Sequence, residues 1–154
     1  MFKKKFILLI ILLFFNSCGY SPIYLKNNVN KIKFDIDEIN LSGDWELNNF
    51  IENSLKRYSS KDSIKKYKFL IETSYLKDSI TKDLTGKTTN YKFTIEAQIN
   101  IISNDLNKKY VFKESFIMEN FNNELDEKKY ESSNKQNLAK TIVNKLVLQL
   151  SNLE

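Results

Sequence analysis

Between Lys31 and Leu153 the spacing of apolar residues switches between two and three-or-four, and each switch marks an element. Lys31 to Ile39 alternates, with Ile32, Phe34 and Ile36 on one side and Lys33, Asp35 and Asp37 on the other, which predicts a half-buried strand. Ser42, Gly43 and Asp44 then supply turn and N-cap chemistry for a helix in which Leu47, Phe50, Ile51, Ser54, Leu55 and Tyr58 form a stripe. A polar break from Ser59 to Ser63 precedes a second strand, where Tyr67, Phe69, Ile71, Thr73 and Tyr75 alternate with Lys68, Glu72 and Ser74. Leu70 and Leu76 interrupt its polar side.

A long polar stretch, Lys77 to Thr89, holds Gly86 and reads as a connecting loop. The cleanest pattern follows. Tyr91, Phe93, Ile95, Ala97, Ile99 and Ile101 point one way, and Asn90, Lys92, Thr94, Glu96, Gln98 and Asn100 the other. A slip of one residue would expose all the apolar positions, so the register of this third strand is strongly specified. An Asn104 to Asn107 turn leads to a fourth strand, Lys109 to Glu119, with Tyr110, Phe112, Phe116 and Met118 on one face and Glu114 breaking the series. Asp126 can cap a closing helix whose Leu138, Ala139, Ile142, Val143, Leu146, Val147 and Leu150 make a broad stripe that continues to Leu153.

The order β-α-β-β-β-α predicts an α+β fold. A strand-helix-strand crossover favours right-handed parallel pairing of the first two strands, and short turns make the last three an antiparallel meander. The expected architecture is a four-stranded mixed β-sheet with two helices packed on one face. Its other face, carrying Asn90 to Asn100, is expected to be polar and to meet water or the polar inner wall of something larger.

Ahead of this domain stands a different pattern. Lys3, Lys4 and Lys5 precede the unbroken apolar run Phe6 to Phe15, the charged and hydrophobic regions of a secretory signal; a membrane span needs about 20 residues. The run gives way through Asn16 and Ser17 to Cys18, Gly19, Tyr20, Ser21 and Pro22. Leu13 to Ser17 resembles the lipobox of bacterial lipoproteins, with small Ser17 before the cysteine and Gly19 after it fitting, and Phe15 and Asn16 departing from the usual residues. The reading is a lipoprotein signal peptide (1-17), a lipidated tether (18-30) and a single α+β domain (31-154). Acyl chains on Cys18 would hold that domain to a bilayer, at about 0.8 kcal/mol per buried methylene.

Composition narrows the function. The chain of 154 residues has a formal charge of +5 from 24 basic and 19 acidic residues. Without residues 1-17 it loses three lysines and no acid, so 21 against 19 leaves +2. Arg57 is the lone arginine, which removes the bidentate forks that read phosphates and base edges, so nucleic acid is not expected as a partner. With no second cysteine there is no internal disulfide.

The parts of most catalytic sites are missing too. Histidine is absent and no nucleophile elbow occurs, so neither an enzyme nor a metal or other cofactor is expected. Gly86-Lys87-Thr88 ends like a P-loop, but Thr81 stands where that motif has glycine. Asp35, Asp37 and Glu38 lack the glycine turn of a calcium loop. The remaining candidates are Lys82 and Lys87, with Lys77 and Lys92 nearby: ammonium groups at one end of a hairpin could meet lipid headgroup phosphates. Interleaved Asp78 and Asp83 leave open the alternative of a solvated turn.

The run Cys18-Gly19-Tyr20-Ser21-Pro22-Ile23-Tyr24, followed by this element order, resembles the lipopolysaccharide-assembly lipoprotein family, LptE. The similarity continues in the hairpin from Tyr67 through Gly86 to Ile102, in Phe112-Lys113-Glu114-Ser115-Phe116 and in the closing helix. The resemblance implies two helices on a four-stranded mixed sheet, anchored through Cys18 in the outer membrane with the domain in the periplasm or barrel lumen. It implies a non-enzymatic partner of the outer-membrane β-barrel protein LptD, which plugs and helps assemble the barrel and assists insertion of lipopolysaccharide into the outer leaflet. An auxiliary lipoprotein subunit of an envelope lipid-transport ABC system is the alternative, since such subunits also begin Cys-Gly with a nearby proline.

Overall fold

The structure is a computed structural model that describes residues 34-152; the signal peptide, Cys18, the whole of the tether, the expected strand start Lys31 to Lys33 and Leu153 lie outside them. Six elements follow in order: β1 (Asp35–Gly43), α1 (Trp45–Lys56), β2 (Lys66–Lys82), β3 (Thr88–Ser103), β4 (Leu106–Glu119) and α2 (Glu124–Ser151). The strands form one sheet in the order β1-β2-β3-β4, with β1 parallel to β2 and the other pairs antiparallel. This is the mixed sheet with two helices that the periodicity predicts.

Burial explains the sheet's inner face. Phe69, Ile71, Phe93, Ile95, Ala97, Ile99 and Ile101 are buried beneath Leu47, Ile51 and Leu55 of α1 and Ala139, Ile142, Val143, Leu146, Val147 and Leu150 of α2. Each large apolar side chain removed from water contributes about 1.5–3 kcal/mol, enough to fix the register of the central strands. Asp44 caps α1, its side chain accepting from the Leu47 amide at 2.9 Å, as the Ser-Gly-Asp motif predicts.

The sequence expectation gives way in several places, each for a local reason; β4, for one, starts at Leu106 and not Lys109, because the turn is only Asn104 and Asp105. β1 does not stop at Ile39 but runs to Gly43, because a bulge between Ile36 and Glu38 changes the phase: Phe34 and Ile36, then Ile39 and Leu41, face the core. The stretch Lys77–Thr89 is not a loop; β2 and β3 continue through it, and only Asp83 to Lys87 turns. The residue capping α2 is Asn123, which accepts from the Leu125 amide, and Asp126 sits in the first turn. Glu114, which breaks the apolar series of β4, stays on the inner face because it pairs with Lys145 of α2.

The outer face is mixed, not polar throughout. Asn100, Gln98, Glu96 and Thr94 run down its centre on β3, but Leu70 and Leu76 of β2 and Val111 and Ile117 of β4 flank them, exposed. Those leucines and β-branched residues hold the strand conformation without being covered by either helix.

Candidate functional site

The long hairpin ends in a turn built by one carboxylate. Asp83 Oδ1 accepts from the amides of Thr85 and Lys87 at 2.8 and 3.0 Å and from the Thr85 hydroxyl at 2.6 Å. These donors, the Thr85 hydroxyl first, hold the Asp83 carboxyl below its ordinary pKa. The Gly86 amide donates to Asp83 O, and Gly86 takes φ +85°, so a tight turn followed by a left-handed residue closes the strands. Hydroxyl pairs, Ser79 with Thr88 at 2.9 Å and Thr81 with Thr89 at 2.6 Å, lace the arms below it.

This turn brings Lys82 and Lys87 to the same exposed tip, Lys82 opposite Thr88 in the ladder. Between them Leu84 projects fully into solvent. Lys87 lines a shallow hollow of about 350 Å³ with Asp83, Asn90, Glu119 and Asn120. Asn120 fastens the end of β4 there, its amide donating to Thr89 O and its side chain to Thr88 O, each at 2.8 Å.

Two lysines expected near the tip lie elsewhere. Lys92 is on the outer face opposite Asp78. Lys77 is on the inner side, donating to Glu127 at 2.6 Å and Glu131 at 3.5 Å of α2 and standing 4.4 Å from the centre of the Tyr91 ring. Burial opposes its charge, but those carboxylates outweigh it and raise its pKa.

A second cluster lies beneath the helices. Lys135 of α2 is buried, 2.9 Å from Glu46, 3.7 Å from Asp44 and 4.0 Å from Glu131, with its ammonium 3.8 Å from the centre of the Tyr75 ring. Burial pushes the Glu46 pKa up, yet hydrogen bonds from Ser132 and Lys135 and the Lys135 charge bring it below its ordinary value. Tyr75 donates to Glu131 at 2.6 Å; burial first, then that bond and charge, raise the phenol's pKa so that it remains a donor. The cluster joins α1, α2 and β2 through one ammonium shared among three carboxylates. Lys135 falls in phase with Ala139, Ile142 and Leu146, a spacing that marks an inward position despite the residue type.

A groove of about 310 Å³ crosses the outer face, lined by Asn40, Ser42, Leu70, Glu72, Asn100 and Lys109 among others. It offers amides, a hydroxyl and one charge of each sign around an apolar patch. Among the described residues no group of three or more His, Cys, Asp or Glu side chains could hold a metal ion. No helix among them is long and apolar enough to cross a membrane.

No protein-family model matches the chain, and no curated protein matches it. Solved structures do. It is similar to rare lipoprotein B from Shewanella oneidensis, with TM-score 0.55 at 11% identity over 76% of this chain and 98% of that one. A lipoprotein B from Nitrosomonas europaea gives TM-score 0.56 at 10% identity over 88% and 92% of the two chains. A minor lipoprotein from Acinetobacter baumannii gives 0.50 at 15% identity over 73% and 93%. At these identities the likeness is one of fold. The resemblance read from the sequence, to the LptE family that includes rare lipoprotein B, holds at that level: this chain has the lipoprotein B fold over nearly the whole of the solved domains.

Proposed function

We propose that this chain is a non-enzymatic outer-membrane lipoprotein, acylated at Cys18, that plugs and helps assemble the LptD barrel and assists lipopolysaccharide insertion into the outer leaflet. One observation carries the reading: the lipoprotein B fold, matched across 98% of the Shewanella chain, stands here behind a signal-like run ending in Ser17-Cys18-Gly19. The outer sheet face supports it, since a mixed surface of amides, charges and isolated aliphatic residues suits the wall of a water-filled lumen. The tip supports it as well. Lys82 and Lys87, with Leu84 between them, offer ammonium groups to headgroup phosphates and an apolar point to the acyl boundary.

The test is a detergent pull-down of the tagged full-length lipoprotein from its own envelope, with partners identified by mass spectrometry. A stoichiometric large barrel protein is expected; an inner-membrane ATPase complex in its place would support the lipid-transport auxiliary reading instead. For the anchor, Cys18→Ser should abolish acylation and leave uncleaved precursor in the inner membrane. Normal processing of that variant would remove the lipoprotein assignment.

A further inference from the structure

The two edges of the sheet are built differently. β1 is nine residues long, is bulged at Asp37 and carries Asp35, Asp37 and Glu38, features that discourage strand addition. β4 is 14 residues long, runs against β3 without a register shift and contains no proline or glycine. Among the described residues only β3 pairs with it.

The free hydrogen-bonding groups can be assigned. The bond from the Asn120 amide to Thr89 O continues the β3–β4 ladder, so even-numbered residues of β4 bond to β3. The odd-numbered residues from Asn107 to Glu119 therefore direct their N–H and C=O groups away from the sheet. On the same residues, Val111 is 57% and Ile117 63% exposed.

We propose that this edge is a self-association surface, on which a second copy of the chain pairs β4 against β4, antiparallel, about a two-fold axis at Glu114. The occupant and register follow from complementarity: of the registers that keep outer face beside outer face and pair ten or more residues of β4 with its copy, only one opposes lysine to glutamate without opposing lysine to lysine. A symmetric antiparallel pair keeps outer face beside outer face when opposed residue numbers have an even sum. Centring on Lys113 sets that lysine against itself, and centring on Val111 sets Lys109 against Lys113. Centring on Glu114 places Val111 opposite Ile117, Lys109 opposite Glu119, Lys113 opposite Ser115 and Phe112 opposite Phe116. The one like pair, Glu114 with its copy, is already neutralised in each chain by Lys145. Lysines that would repel an arbitrary strand thus admit this one. The inference does not rest on the fold match that carries the barrel reading and concerns the chain outside a barrel, since a lumen filled by one copy leaves no second strand beside β4.

Disulfide trapping and sedimentation of the full-length lipoprotein in detergent test it. The double variant Val111→Cys with Ile117→Cys should become mainly a disulfide-linked dimer on oxidation, while each single variant, which also retains Cys18, should not. Wild type should sediment as a concentration-dependent dimer. Ser115→Pro removes an outward N–H and spares the bonds to β3, so it should sediment as monomer. If that variant loses cooperative unfolding, charge reversal decides: Lys109→Glu should weaken the dimer and Lys109→Glu with Glu119→Lys restore it, since neither residue is opposite a charge on β3. A wild type that stays monomeric, a double variant that cross-links no more than the singles, or a dimer indifferent to the charge reversal would overturn the proposal.

Discussion

The inner and outer halves of the β2–β3 hairpin obey different rules. From Phe69 to Tyr75, and across to Ile95 and Ile101, the register is unbroken and the inward residues are Phe69, Ile71, Thr73, Ile95, Ala97, Ile99 and Ile101, all buried. From Ser79 to the turn the register shifts twice, β2 is exposed throughout, and hydroxyl pairs and Asp83 replace apolar packing. Burial holds the inner half in one register, because a slip would cost its whole apolar face. The outer half is held by its turn, its hydroxyl pairs and its backbone ladder without apolar packing, which leaves its side chains free to meet another surface.

Two glycines give that contrast its largest expected effect. Both take positive φ, +93° at Gly43 and +85° at Gly86. A Cβ on Gly43 would lie 1.8 Å from Thr73 O, where β1 ends against β2 and the Asp44 amide donates to the same oxygen. A Cβ on Gly86 would meet nothing within 4 Å. Gly43→Ala should therefore destabilise by roughly 4 kcal/mol or more, combining strain with backbone displacement. Gly86→Ala carries only the left-handed strain, about 1–2 kcal/mol. Urea unfolding of both variants checks this, and equal losses would mean that the two halves do not differ in the way described.

Next in size is the Lys135 cluster, which lies where the two halves meet. Lys135→Ala leaves Glu46, Asp44 and Glu131 without their shared cation and removes the ammonium from the Tyr75 ring. Removing one partner of a fully buried pair costs about 3–5 kcal/mol; because these carboxylates are partly exposed, about 2 kcal/mol is expected. Adding Glu46→Gln should recover part of the loss, and a double-mutant cycle measures the coupling. Strict additivity would show that Glu46 does not couple to the lysine and that the loss comes from the lysine's other contacts.

What the sequence made legible follows from where burial acts. The strand and helix stripes of the inner half could be read directly, since one covered face forces a period. The β1 bulge is not legible in this way: the step of three from Ile36 to Ile39 that ends a series in twos looks equally like the end of a strand, and the expected β1 stops there. The outer strands were not legible: with neither face covered, Lys77 to Thr89 has no reason to alternate, and pairing alone makes it sheet. Lys135 has the spacing of a core position and the identity of a surface one, and Asp44, Glu46 and Tyr75 reach it from elements far away in the chain. The tip lysines could be placed on one turn from Gly86 alone, but Lys77 could not be separated from them, because Glu127 and Glu131 arrive from α2.

A smaller effect is expected from pH. Glu46 has a folded-state pKa below its ordinary 4.5, so it contributes stability that is present above pH 4.5 and lost as pH falls through the lower folded value. Glu46→Gln should start less stable at neutral pH and lose less on acidification, its curve approaching wild type once the pH has fallen below the lowered folded-state pKa. Parallel curves across that range would assign the acid sensitivity to other carboxylates.

The smallest stability effect, and the one closest to function, belongs to the tip. Lys82 and Lys87 are exposed and neither side chain meets an acid within ion-pair distance among the described residues, so Lys82→Gln with Lys87→Gln should leave the unfolding midpoint within about 0.5 kcal/mol of wild type. If the tip meets headgroup phosphates, the same variant should bind lipopolysaccharide more weakly and with a shallower salt dependence, because fewer screened charges take part. Leu84→Ser separates the two contributions: it should weaken binding without changing the salt slope, since an apolar contact is not screened. A loss of slope from the leucine change, or unchanged binding from the lysine pair, would return the outer half to the role of a solvated turn and leave the sheet face as the surface that meets the partner.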